Sequence, residues 1–305
     1  MLEGIIIVNK PKGCTSHDVV RKIKKIFGNK VGHTGTLDPN ATGVLPLLIG
    51  SATKLSYYLI NHDKEYEVTL QLGIKTDTAD SEGNIVEKQD LSEDFIKDIL
   101  NKENLQKVLQ SFIGKQEQIP PMYSAIKVNG KKLYEYARNG QEVDLKPRQI
   151  EIYNIELLEI KEKERQIKFV VSCSKGTYIR SLCEDIAKKL GTVGYMKELN
   201  RTKVGDFYIE NSVTLEEIEE NKESTSYIEE HIITIERFFE IYKQDGIENN
   251  AIILNQNTIN KFMNGVKIKK DLKKGLYRIY NEKNEFIGIG LVENNFLKRE
   301  IIVEN

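Results

Sequence analysis

An unbroken apolar run, Ile5–Val8, opens the chain and reads as a buried strand, ended by the Pro- and Gly-bearing turn Asn9–Gly13. The apolar spacing then becomes helical. Val19, Val20, Ile23, Ile26 and Phe27 form one stripe, with Ser16 at the N-cap position and Gly28 at the stop. The lysines of this helix fall mostly off the stripe and face water or phosphate. Val44–Gly50 is apolar enough to be core. Over Glu65–Gly73 the spacing drops to two, placing Tyr66, Val68, Leu70 and Leu72 on one strand face. A polar loop follows over Lys75–Gly83. The pattern predicts helix over 92–113 with a break near Asn101–Asn104, then an extended stretch over Ile119–Val128. Asn129-Gly130 makes a tight turn and Lys131–Arg138 a short helix.

Strands are predicted at 149–159 and 166–174, the second alternating only in its first half. Gly176 opens a helix with the stripe Ile179, Leu182, Cys183, Ile186 and Leu190, closed by Gly191. At about 100° per residue, Arg180 lies well off that stripe and is not needed for packing. The segment 215–246 reads as a helical connector. A short helix near 257–263 precedes the β-runs Val266–Ile268, Gly275–Tyr280, Phe286–Val292 and Phe296–Val303. These make a small all-β module of roughly sixty residues. All six prolines lie at or before Pro147, which supports two regions of different character, 1–246 and 247–305. The fold class expected is α+β.

With 305 residues, 39% apolar and 30% charged, the chain is globular and can bury one large core or two modest ones. No segment resembles a signal peptide, and the longest apolar runs fall short of a membrane span. The three cysteines (Cys14, Cys173, Cys183) include no Cys-x-x-Cys pair, which speaks against a disulfide scaffold or zinc ribbon and fits a reducing cytoplasm. A net charge of -1 conceals segregation. Residues 10–30 carry Lys10, Lys12, Arg21, Lys22, Lys24, Lys25 and Lys30 against a single Asp18, and 261–299 hold ten Lys or Arg against four acids. Between these zones, 215–246 hold ten acids. Two basic zones flanking an acidic one suit a protein that grips a polyanion.

The chemistry concentrates in Gly32-His33-Thr34-Gly35-Thr36-Leu37-Asp38-Pro39-Asn40-Ala41-Thr42-Gly43, where one carboxylate sits among glycines and threonines. Such a loop presents Asp38 on a fixed backbone, as a nucleophile or general base requires. Only His33 is near, with no further acid or histidine at ligand spacing, which argues against a metal site. A two-carboxylate hydrolase needs a partner acid, and Asp77 and Asp80 lie in a polar loop that reads as solvated turn. No phosphate-binding Gly-rich motif supports a nucleotide cofactor. Tyr66 and Tyr178 are either core or platforms for a flipped base. Arg180 within reach of Asp38 would hold that acid ionised.

Six blocks together resemble the TruB family of tRNA pseudouridine-55 synthases. They are Lys10-Pro11 with Gly13, the run Gly32–Gly43, Lys64-Glu65-Tyr66, Ile119–Ala125 with Lys131–Arg138, Ser174–Leu182, and Glu198–Thr202. Asn40 stands where the family usually has an apolar residue, and Asn200 where it often has arginine. The resemblance implies a pseudouridine synthase catalytic domain, with a mixed, mostly antiparallel sheet flanked by helices, and a small C-terminal β-barrel-like PUA-type module that binds RNA. It implies that uridine 55 in the T-arm of tRNA becomes pseudouridine without metal or cofactor, in a cytoplasmic monomer needing no protein partner. Asp38 would be the nucleophile, attacking the ring or the ribose. His33 would fill the space left by the flipped base, and Tyr66 would stack on it. Arg180 would pair with Asp38, Tyr178 and Leu199 would shape the pocket, and Lys10 and Lys54 would bind RNA. The glycines of the run would leave room for a nucleotide to approach.

Overall fold

In a computed structural model that describes residues 2–28, 30–141, 143–241 and 250–303, the apolar runs and the alternating segments fall in different halves of one ten-stranded sheet. The first half contains β1 (Gly4–Lys10), α1 (Ser16–Phe27), β2 (Val31–His33) and β3 (Thr42–Ile49), followed by a 3-10 turn (Gly50–Leu55) and α2 (Ser56–Leu59). β1 and β3 pair antiparallel along most of their length. Ile6, Val8, Leu45, Leu47 and Ile49 pack with Val19, Val20 and Ile23 of α1. Ile5, Ile7, Val44 and Leu48 pack in a separate cluster with Leu55 and Leu59. With both faces covered, every strand position must be apolar, and the sequence shows a run.

Thr15, one residue before the predicted Ser16, caps α1. Its hydroxyl accepts from the Asp18 amide at 3.1 Å while the Asp18 carboxylate accepts from the Thr15 amide at 2.9 Å. Ser16 is buried and serves the loop around Asp38. Gly28 ends the helix at φ 65°.

The second half begins with β4 (Lys64–Leu72) and the ribbon β5 (Ile74–Thr76) with β6 (Ile85–Lys88). α3 (Glu93–Ile99), α4 (Lys102–Gln110) and β7 (Gly114–Gln118) follow, then the hairpin β8 (Lys127–Val128) and β9 (Lys131–Lys132), and α5 (Leu133–Arg138). β10 (Arg148–Lys161), β11 (Gln166–Cys173), α6 (Ile179–Lys189), β12 (Gly194–Val204) and β13 (Phe207–Tyr208) complete it. Tyr66, Val68, Leu70 and Leu72 of β4 join Ile167, Phe169, Val171 and Cys173 of β11 in one core with α3, α4 and α6. The other face carries Glu67 and Lys168, ion-paired at 2.6 Å. Burial therefore alternates along β11 from Ile167 to Cys173, beyond the first half where the sequence shows it. α6 starts three residues after Gly176, whose left-handed φ of 81° belongs to the preceding turn.

α7 (Leu215–Glu220), α8 (Thr225–His231), β14 (Ile232–Ile233) and α9 (Ile235–Ile241) are more than the connector expected. Ile232 and Ile233 pair with Ile6 and Ile5 as an edge strand, and Phe238 and Phe239 enter the core beside Val44 and Leu48. The expected boundary at 246/247 lies outside the described residues. Beyond it, β15 (Asn250–Leu254), α10 (Gln256–Met263), β16 (Ile268–Lys269), β17 (Gly275–Asn281), β18 (Phe286–Glu293) and β19 (Phe296–Ile302) form a five-stranded PUA-like sheet ordered β15-β17-β18-β19-β16. β15, parallel to β17, is an addition to the predicted β-runs. No helix among the described residues is long and apolar enough to cross a membrane.

The halves of the large sheet meet where β3 and β12 run parallel for two residue pairs, Thr42–Asn200 and Gly43–Arg201. Gly43 has φ 107°, and a Cβ there would lie 2.2 Å from the Arg201 carbonyl oxygen. Its conformational freedom serves this strand contact, not the approach of a nucleotide. Gly43→Ala is expected to cost about 2–5 kcal/mol, summing left-handed strain and overpacking. Gly13→Ala, at φ 84° but with nothing within 4 Å of its Cβ, should cost only about 1–2 kcal/mol. Paired thermal melts check this; equal losses would remove the seam as the cause.

Candidate active site

The backbone around Asp38 is held by residues from the start of the chain. Ser16 Oγ accepts from the Leu37 amide at 2.8 Å and donates to the Leu37 carbonyl at 3.2 Å. The Gly13 amide donates to the Pro39 carbonyl at 2.9 Å, and Ala41 closes the turn by donating to the Asp38 carbonyl at 3.1 Å. Lys10 adds a third tie. Its buried ammonium donates to Pro11, Cys14 and Pro39 carbonyls at 2.9, 2.7 and 3.0 Å. This corrects the RNA-binding role expected for Lys10: its three N–H groups are spent on the loop, and no solvent reaches it.

Arg180, set at the start of α6, is buried rather than surface-exposed, and its three guanidinium nitrogens lie within 3.5 Å of five oxygens. Nε lies 3.2 Å from Asp38 Oδ2 and Nη2 3.5 Å from Oδ1. Nη1 reaches Asp80 Oδ2 at 3.4 Å and the Thr78 carbonyl at 3.2 Å, and Nη2 reaches the Tyr123 carbonyl at 2.7 Å. Asp80 is thus no solvated turn residue. It is buried, and its other oxygen accepts from Thr78 Oγ1 at 2.6 Å and the Glu82 amide at 3.0 Å. The loop is polar because its side chains bond one another and Arg180, a distinction that local sequence does not carry.

Burial pushes the Asp38 carboxyl above its ordinary range, Arg180 and Lys10 pull it down, and the Asp80 charge pushes it further up. The ion pair expected from sequence is present, but desolvation outweighs it. Leu199 and Met196 of β12 line the cleft at Asp38 together with Asp80, Ser81 and Glu82. The free space there is about 10 Å³, near the minimum for one water, so a larger group enters only if the lining moves. Tyr66, buried in the core that also holds Leu37, Ala41 and Leu199, sits opposite Arg201 of β12.

The other expected residues stand further off. His33, half-buried on β2, accepts from the Gly35 amide at 3.4 Å; burial, then the Arg201 and His17 charges, hold its imidazole below the usual histidine range. Gln118 clamps the Tyr178 backbone, accepting from its amide at 2.8 Å and donating to its carbonyl at 3.0 Å. Lys54 is exposed on the 3-10 turn. No hydrogen bond or ion pair joins these three to Asp38 among the described residues. Asn200 Oδ1 accepts from Thr42 Oγ1 at 3.1 Å, so its amide serves the seam. Arg201 escaped sequence reasoning; its signal is a cation at a strand position among buried neighbours. Among the described residues no group of three His, Cys, Asp or Glu is placed to hold a metal ion.

Comparison with known proteins gives the family of the chain. The family profile described as TruB family pseudouridylate synthase (N terminal domain) matches residues 21–179. Two C-terminal profiles, tRNA pseudouridylate synthase B C-terminal domain and Pseudouridine synthase II TruB, C-terminal, match 180–240 and 251–298. The tRNA pseudouridine synthase B of Caldanaerobacter subterraneus subsp. tengcongensis is 44% identical over 300 residues, covering 97% of this chain and 98% of the relative. That of Clostridium tetani is 45% identical over 296 residues, covering 95% of each. Among solved structures, one chain of a Cbf5-Nop10-Gar1 complex superposes with TM-score 0.64 at 26% identity, over 99% of this chain and 84% of that one.

Carbon-13 NMR of the carboxyl groups checks the electrostatics. Asp38 should titrate above the usual carboxylate range, and Asp80→Asn should move it down by removing a like charge. An unmoved or raised Asp38 would show that the two carboxylates are not coupled.

Proposed function

Because the chain belongs to the TruB family of pseudouridylate synthases, which are isomerases, we propose that it converts uridine 55 in the T-arm of tRNA to pseudouridine. The observation that carries the site assignment is Asp38 on a backbone fixed at Leu37 and Pro39 and held by a fully engaged Arg180. The target base is stacked inside a folded arm and must be flipped out, at a cost of a few kcal/mol. Asp38 acts as nucleophile on the flipped nucleoside. The bond from the ribose to N1 breaks, the base turns, a bond from the ribose to C5 forms, and the bond that Asp38 made to the nucleoside breaks to regenerate the carboxylate, while the proton displaced from C5 is balanced by one gained at N1. Tyr66 stacks on the base, Leu199 packs against it, and His33 takes the vacated place. Tyr178 borders the pocket, and none of these steps calls for a metal or cofactor.

The division of labour follows the two sheets. Residues 1–246 carry the chemistry and 247–305 bind RNA, with the exposed Lys267 and Lys269 meeting phosphate and Lys54 adding a contact from the catalytic side. The enzyme acts alone on tRNA in the cytoplasm, as a monomer.

Incubating the protein with an unmodified T-arm stem-loop and mapping pseudouridine tests the reading. One modified position is expected, and Asp38→Asn should lose all turnover while keeping its tRNA affinity within about threefold. Appreciable turnover by that variant would remove Asp38 from the nucleophile role. Binding should also weaken steeply as salt rises, since phosphate contacts release counterions; a flat response would exclude the phosphate-binding surfaces.

A further inference from the structure

We propose that Arg201 is a positioning residue for the isomerisation, clamping both ends of the catalytic loop in one frame with the strand position of Tyr66. The proposal rests on the reading of Tyr66 as the platform for the flipped uracil. Arg201 is among the largest fully buried side chains of the protein. Its Nε donates to the Val44 carbonyl at 2.8 Å and its Nη2 to the Gly35 carbonyl at 3.0 Å. These carbonyls bracket residues 36–43, so a single guanidinium pins the chain just before and just after the segment that carries Asp38. Gly35 lies close against it: a Cβ there would approach Nη1 to 3.4 Å.

Strand register places Tyr66 beside this clamp. Arg201 is opposite Gly43 on β3 and opposite Tyr66 on β4, at an irregularity of β12 that falls between Arg201 and Lys203. Its charge pulls the neighbouring Tyr66 phenol toward ionisation, while burial of that phenol dominates and leaves it raised to about 12. Arg201 thus joins loop and platform across the seam.

Charge sets Arg201 apart from Arg180. Arg180 faces two carboxylates, whereas no carboxylate lies within 4.0 Å of Arg201 among the described residues. A buried cation without a counter-ion is costly, and an apolar side chain of similar volume would fill the same space without that penalty. What an apolar residue cannot do is donate along two directions of one rigid plane, as the Val44 and Gly35 carbonyls require. Lysine, a flexible point charge, does not reproduce that fork either. The cation also acts on its surroundings, opposing protonation of Lys10, His33 and Lys64.

The test is a double-mutant cycle on the T-arm stem-loop with wild type, Arg201→Lys, Tyr66→Phe and the double variant, each rate expressed per folded molecule from circular dichroism. Arg201→Lys and Tyr66→Phe should each lower kcat about 10–100-fold and leave KM within about threefold. The double variant should be no more than about threefold slower than the slower single variant. Effects that multiply, or wild-type kcat in either single variant, would overturn the proposal. Should Arg201→Lys not fold, Tyr66→Phe alone decides: an unchanged kcat rejects the shared frame, and a lowered kcat at constant KM supports it. An inert wild type would overturn the functional reading and this proposal together, whereas an active wild type with multiplicative variants would overturn only this one.

Discussion

Arg180 faces two carboxylates, the half-buried Asp38 and the buried Asp80, and two backbone carbonyls drawn from segments up to 142 residues apart in the chain, and the geometry of the cleft depends on it. Without that cation, Asp38 and Asp80 would be like charges sharing a desolvated pocket, and one would take up a proton. With it, the loop after β2, the β5–β6 ribbon and the stretch before β8 are drawn to the start of α6. Guanidinium geometry suits this task, because its three nitrogens lie in one rigid plane and each faces an oxygen within 3.5 Å. The raised position of Asp38 is the cost of such burial, only partly offset by Arg180 and Lys10.

The frame behind the cluster is a sheet with two kinds of half. One half is sandwiched on both faces, the other is covered by helices on one face and polar on the opposite face. They touch through two residue pairs, and Asp38, Tyr66, Leu199 and Arg201 all lie at or beside that seam. A short parallel contact brings a loop, a strand face and a helix start together without any of them being adjacent in the chain. Gly43 permits the approach, and Lys10, buried under the Asp38 turn, stiffens it.

Charge is arranged differently in space and in sequence. The basic face of α1 does not stand free: Lys22 and Lys25 act on Glu219 of α7, and a groove between the two helices carries both signs. The acidic segment thus screens part of the basic one. In the C-terminal module, Lys267 and Lys269 remain exposed.

Most elements were legible because burial writes a period into the chain. Ile5–Val8 and Val44–Ile49 show runs since both faces are covered, and Tyr66–Leu72 alternates since one is. Asp38 was legible because a lone acid among glycines is locally unusual. The rest was decided by contacts that leave no local period. Asp80 looks like any acid in a polar turn until Arg180 is placed beside it, and Lys10 like any surface lysine until the Pro39 carbonyl meets it. β14 is two residues long, and its pairing with β1 spans more than two hundred positions, beyond the reach of any spacing rule. Amino-acid order by itself determined most strands and helices and the nucleophile candidate, because these follow from periodicity and local backbone chemistry. Which charges are buried, which are paired, and which residues share the seam was decided only by tertiary structure, because burial and ion pairing belong to neighbours in space.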